Sequence, residues 1–164
     1  MSGLLFQLHF MSTIQPQDSR GFFMLPQSPE DGSYYTYGTP SYGAGQYSHA
    51  SMITFLSRLE FWWGEIDNRK IGIGNISLAG GARYQDHQGH RSGLNVDIRP
   101  LRRDGKGLPV RHTDSDYDHQ GTKKLIDLIW KTGMVRTVYF NDPLITNAKR
   151  LDRHDDHIHV DVKA

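Results

Sequence analysis

Residues 155–162 read DDHIHVDV, and the alternation inside this stretch decides how the chain folds. Successive side chains of a β-strand point to opposite faces. On such a strand Ile158, Val160 and Val162 take one face, while His157, His159 and Asp161 take the other. The first face demands a core. The second aims two imidazoles and a carboxylate in one direction. The stretch GHRSGLNVDIRP, residues 89–100, repeats the pattern: Leu94, Val96 and Ile98 share one face, Asn95 and Asp97 the opposite one. If the two strands neighbour each other in one sheet, Asp97 approaches His157 and His159.

Elsewhere the period changes. In HASMITFLSRLEFWWGEIDNRK, residues 49–70, Met52, Leu56, Leu59, Trp63 and Ile66 recur at steps of three and four, which predicts an amphipathic helix with Ser48 as its cap. TKKLIDLIWKTG, residues 122–133, predicts a second helix with Leu125, Ile126 and Ile129 inward and Gly133 as its stop. NISLAGGARY, residues 75–84, reads as a short strand ending in a glycine turn, and VRTVYF, residues 135–140, as another strand. Strands and helices do not alternate as regular βαβ units. The expectation is an α+β single domain whose central, mostly antiparallel sheet is flanked by helices. Residues 1–48, rich in Gly, Ser, Tyr, Pro and Gln, read as an irregular N-terminal segment packed on a core formed by residues 49–164.

Composition narrows the function classes. A length of 164 residues suits one domain with a real core. The formal net charge of +1 gives no field that favours nucleic acid. With no cysteine, disulfides and thiolate metal ligands are excluded. No apolar run reaches the roughly 18 residues of a membrane span. The N-terminus, MSGLLFQLHFMST, lacks the basic start of a signal peptide, so a route other than ordinary secretion is expected if the protein acts outside the cytoplasm.

His90 precedes Asp97, with Gly93 between them to turn the chain. His90, Asp97 and His159 would offer two imidazole nitrogens and a carboxylate oxygen. Zinc accepts such a set and keeps a fourth position for water, whose pKa it lowers to about 7. The chain has nine histidines, and histidines commonly serve as surface or hydrogen-bonded core residues. On spacing alone, a metal site and a plain polar lining both stay open.

Taken together, GHRSGLNVDI and HDDHIHV resemble the motifs of the LAS metallopeptidases, the lysostaphin, D-Ala-D-Ala metallopeptidase and hedgehog group, which carry H-x(6)-D followed by H-x-H. Within that group the chain is most similar to the penicillin-insensitive murein endopeptidases, with His90, Gly93, Val96 and Asp97 in the first motif and His154, His157 and His159 in the second. GGARY and the HASMITFLSRL helix extend the resemblance to roughly residues 35–162. The resemblance implies zinc on His90, Asp97 and His159, with the site on the sheet face. It also implies that His157 stands beside the metal-bound water and that His154 moves protons, in the place where carboxypeptidase relatives carry a glutamate. His87 matches a histidine that accompanies the first ligand in that branch. Asn95 departs from the Asp usual there, and the branch's signal peptide and cysteines are missing.

The implied activity is zinc-dependent hydrolysis of peptidoglycan stem-peptide cross-links, D-Ala to diaminopimelate, by an enzyme made in the cytoplasm and acting in the periplasm or on the cell wall. A phage lysis enzyme or a delivered antibacterial effector fits, with a delivery machine or an immunity protein as further partner. Arg83 or Arg99 could pair with a substrate carboxylate or simply form surface salt bridges, and Asp116 with His119 could complete an auxiliary metal site or lie in a solvated turn at a helix start. The alternatives are an L-Ala-D-Glu or D-Ala-D-Ala peptidase of the same superfamily, and a non-catalytic zinc-containing module that binds the wall.

Overall fold

The computed structural model describes residues 16–85, 87 and 89–164. In chain order the elements are β1 (Phe23–Met24), β2 (Tyr34–Thr36), β3 (Tyr47–Ser48), α1 (Ala50–Gly64), β4 (Ile71–Ile73), a 3-10 turn at Ala79–Gly81, β5 (Asn95–Ile98), α2 (His119–Lys131), β6 (Val135–Tyr139) and β7 (Ile158–Val162). The class is α+β. A five-stranded sheet runs β2-β4-β5-β7-β6, and β1 and β3 form a separate antiparallel pair. In the larger sheet β2 and β4 are parallel and the other neighbours antiparallel.

The alternation of β7 sets the layers. Ile158, Val160 and Val162 are buried, in one core with Val96 and Ile98 of β5 and the inner faces of both helices. Each such aliphatic side chain contributes about 1.5–3 kcal/mol. The helices contact each other, and α1 also reaches β7 while α2 reaches β6. They therefore cover one face of the sheet rather than flank it, which leaves the polar face uncovered by helix. None of the helices among the described residues is long and apolar enough to cross a membrane.

Local details depart from the sequence pattern for identifiable reasons. His49, not Ser48, caps α1, its Nδ1 accepting from the Ser51 N–H at 3.1 Å. Ser48 is already committed to β3, where its hydroxyl donates to Gln46 O. Helix α1 ends at Gly64, so Ile66 leaves the apolar stripe and is exposed. In α2, Asp118 caps the start, Leu125, Ile126 and Ile129 are fully buried, and Gly133 closes the end with φ +73°.

The strand expected over residues 75–84 lies earlier, at Ile71–Ile73 in the sequence IGIGN. Glycine lowers strand propensity, but here it is required. A Cβ on Gly72 would sit 2.6 Å from the Tyr35 hydroxyl, and one on Gly74 would sit 2.6 Å from Tyr37 Cζ. These two tyrosines lie on the polar face over the ledge that the glycines leave. The N-terminal segment is accordingly less irregular than its composition suggests, since it supplies β1, β2 and β3. Its first 15 residues lie outside the described residues. Asp18 and Arg20 tie the segment down, through Gly80 N–H to Asp18 Oδ2 at 2.8 Å and Arg20 to Arg91 O at 2.6 Å, beside the turn that carries His90.

Candidate metal centre

The β5–β7 ladder places Asp97 directly opposite His159, with Val96 opposite Val160. Both polar side chains stand on the uncovered face. His90 comes from the turn before β5. There Gly93, at φ +71°, brings the chain so close to α1 that a Cβ would lie 2.8 Å from the His49 nitrogen. His90 and Asp97 are both 3 % exposed, a degree of burial at which ionisable groups need partners.

Three atoms converge. His159 Nδ1 lies 3.0 Å from Asp97 Oδ1, and His90 Nε2 lies 3.2 Å from each of them. Hydrogen bonds on the far sides of the rings fix which nitrogens carry protons. His90 Nδ1 faces the Ile76 carbonyl at 3.2 Å and donates to it, which leaves a lone pair on Nε2. His159 Nε2 faces Asp161 Oδ1 at 3.2 Å and donates to that carboxylate. Asn95 Nδ2 donates to the same oxygen, so the Asn at this position steadies a carboxylate supplied from the neighbouring strand. Once Nε2 is committed to Asp161, neutral His159 presents a lone pair at Nδ1. Three lone pairs then point into one space, an arrangement that needs a proton or a metal cation at its centre.

The ionisation preferences agree. Burial opposes a charge on His159, but hydrogen bonds to Asp161 and Asp97 raise its pKa to about 9. Burial likewise opposes ionised Asp97, yet His159, His87 and His90 hold it well below the usual carboxylate range. Asp161 is lowered by its bond to His159, with burial acting against it. The cluster attracts positive charge.

His87, His90 and Asp97 also form a buried group that can hold a metal ion, each offering a ligand atom within 4.8 Å of the others. His87 Nδ1 lies 3.4 Å from Asp97 Oδ2, the carboxylate oxygen turned away from the triangle.

Two further histidines complete a cleft of about 320 Å³ lined by Asn95, Tyr139, Arg153, Asp161 and the histidine cluster. His157 Nδ1 bonds Asp156 at 2.9 Å, and its Nε2 stands 3.9 Å from Asp97 Oδ1. His154 stacks against His157 with ring centroids 4.7 Å apart. Its Nδ1 donates to the carbonyls of Asp152 at 2.8 Å and Leu151 at 3.2 Å, which leaves Nε2 as an acceptor. Burial lowers the pKa of His154 and keeps it neutral at pH 7.

All five histidines and the aspartate singled out in the sequence, His87, His90, His154, His157, His159 and Asp97, thus meet in one place. Asp116 and His119 do not: Asp116 pairs with Arg102 at 2.8 Å, and His119 with Asp142 at 2.7 Å. Arg99 donates to Gly107 O and lies over the Tyr37 ring, while Arg83 is exposed and does not line the cleft. Among the described residues the cation lining the cleft is Arg153, held at φ +68°. Asp161 was visible in the sequence only as the third polar residue on the His157 and His159 face. Neither Asn75, which touches His87, nor Tyr139 carried a signal.

No family model matches this chain, and no curated protein is significantly similar to it. The motif resemblance rests on the residues quoted above.

Proposed function

We propose that this protein is a zinc-dependent peptidase acting on peptidoglycan stem peptides, with His90, Asp97 and His159 as the metal ligands. The observation that carries this reading is the triangle of lone-pair atoms with edges of 3.0–3.2 Å at the floor of a cleft. Ligands at the 2.0–2.1 Å typical of zinc bonds are separated by about 3.3 Å in a tetrahedron, so the triangle needs to expand by only tenths of an ångström. Two imidazoles and one carboxylate suit zinc and leave one position open to the cleft. Zinc there would supply Lewis acidity, polarising a scissile carbonyl and lowering the pKa of a water to about 7.

The protein's own groups do the rest. His154 Nε2 is the free nitrogen of a neutral imidazole facing the cleft, suited to take up a proton during attack and return it to the leaving amine. His157, oriented by Asp156, presents Nε2 beside the metal ligands, where the developing oxyanion would form. Arg153 lines the cleft and provides a guanidinium for a carboxylate of the stem peptide. A module that merely binds the wall has no use for the free nitrogen of His154. The D-Ala to diaminopimelate cross-link is the proposed bond, and the enzyme would act on the cell wall after release by a lysis system or a delivery machine.

Mass spectrometry of purified Gram-negative sacculi incubated with the protein tests this. Cross-linked muropeptides should fall to monomers, fail to do so after chelation, and recover with added zinc. Cleavage elsewhere in the stem would reassign the bond to an L-Ala-D-Glu or D-Ala-D-Ala peptidase. No change under any condition would reject catalysis on this substrate.

A further inference from the structure

We infer that His87 is not a metal ligand but a positioning residue, fixed by Asn75 in the tautomer that donates from Nδ1 to the outer oxygen of Asp97. This inference rests on the metal reading of the site and divides the labour among its histidines.

The chain of reasoning starts at a backbone amide. Thr39 N–H points at Asn75 Oδ1, 3.0 Å away, and a backbone N–H can only donate. The Tyr84 hydroxyl lies against the same oxygen at 3.0 Å and also against the Thr39 carbonyl. Gly38 makes room for this contact, because a Cβ there would lie 2.5 Å from Asn75 Oδ1. The amide orientation of Asn75 is therefore determined, with Oδ1 toward Thr39 and Nδ2 toward His87. Asn75 is itself buried, and its carbonyl accepts from Asp97 N–H at 3.0 Å, so it cannot turn away.

Asn75 Nδ2 meets His87 Nε2 at 2.8 Å. An amide nitrogen donates, so His87 Nε2 must accept. The proton of neutral His87 then resides on Nδ1, the atom that faces Asp97 Oδ2 at 3.4 Å. For His87 to ligate a metal through Nδ1 the proton would have to move to Nε2, where it would confront the Asn75 amide donor. The structure thus gives His87 a donor's role. This 3.4 Å contact occupies Oδ2 and leaves the other oxygen, Oδ1, to face His90 and His159. The segment around Thr39, far from the centre in sequence, takes part in setting the geometry of the metal ligands.

Imidazole nitrogen NMR on the metal-free protein reads the tautomer directly. His87 should show a protonated Nδ1 and an unprotonated Nε2. On zinc titration, His90 Nε2 and His159 Nδ1 should shift strongly and both His87 nitrogens only slightly. His87→Ala should weaken zinc about 10–100-fold, the usual effect of losing a partner that orients a ligand. His87→Asn, whose amide nitrogen takes the place of Nδ1, should recover affinity to within a few-fold of the parent. Asn75→Asp replaces the donor by an acceptor and should convert His87 to the Nε2–H tautomer, weakening zinc by a similar factor with His87 itself untouched. A protonated Nε2 in the parent protein, or a strong zinc-induced shift at His87 Nδ1, overturns the inference. So does equal loss of zinc in His87→Ala and His90→Ala without rescue by His87→Asn. If the parent protein binds no zinc, the metal reading itself fails and the positioning role falls with it, whatever the tautomer.

Discussion

Asp97 and His159 are a directly opposed pair on the β5–β7 ladder, and His159 Nδ1 lies 3.0 Å from Asp97 Oδ1. Because the strands are buried on their other face, this pair cannot slip. A shift of one residue in register would expose Val160 and bury His159. The hydrophobic core thus holds two of the three proposed ligands in place. His159→Ala should leave the purified protein without stoichiometric zinc and reduce hydrolysis to background, while circular dichroism stays close to that of the parent. Retained zinc and activity would remove His159 from the ligand set.

The outer hydrogen bond on His159 gives a graded prediction. Asp161 accepts from Nε2 and so keeps Nδ1 available. Asp161→Asn should weaken zinc about 10–100-fold without abolishing it. Competition with a chelator of known affinity measures the change. Unaltered affinity would show that the carboxylate does not orient the ring.

Without metal, stability should depend on pH from both sides. The pKa of His159 is raised from 6.5 to about 9 on folding. Its contribution is fully present below pH 6.5 and is lost as the pH rises through about 9. By linkage the loss is on the order of 3 kcal/mol, shared with its aspartate partners. Asp97 is lowered from 3.8, so its contribution is present above pH 3.8 and is lost as the pH falls toward its folded value. Zinc should oppose the alkaline trend, since binding must displace the proton from His159 Nδ1 and so strengthens as that proton is lost. Melting temperatures from pH 6 to 10 should fall in chelator and fall far less with zinc. Calorimetry in buffers of different ionisation enthalpy should detect proton release on binding at pH 7.

The ledge under the tyrosines can be tested by adding one methyl group. Gly74→Ala places a Cβ 2.6 Å from Tyr37 Cζ, inside a packed layer. The expected cost is about 1–3 kcal/mol in denaturant unfolding, greater than for an alanine introduced at open Gly89. Equal effects at the two positions would show that Tyr37 moves aside freely.

Gly74 and Tyr37 also mark where the sequence pattern stops being legible. The period of two in β5 and β7 and the apolar steps of α1 and α2 are local properties, and they were enough to bring Asp97 together with His157 and His159. Strand β4 escaped because its glycines answer to Tyr35 and Tyr37, which are distant in sequence. Strand β2, only three residues long, shows no period at all. The protonation pattern was also out of reach, because the tautomer of His87 depends on Asn75, and the orientation of Asn75 depends on the backbone of Thr39. No spacing rule encodes such a relay.

His154 separates binding from chemistry. Its ring stacks on His157 and stands edge-on to His159, with centroids 5.6 Å apart, and its Nδ1 proton is spent on two backbone carbonyls. Burial lowers its pKa, so the free Nε2 can receive a proton at neutral pH. Removing it should leave zinc content unchanged and lower kcat about 10²–10⁴-fold, the usual worth of a general base. The acid limb of the kcat/KM profile, which should fall below pH 6.5 in the parent as His154 protonates, should disappear in His154→Ala. Zinc loss in that variant with the acid limb intact would instead make His154 a ligand and transfer the proton to His157.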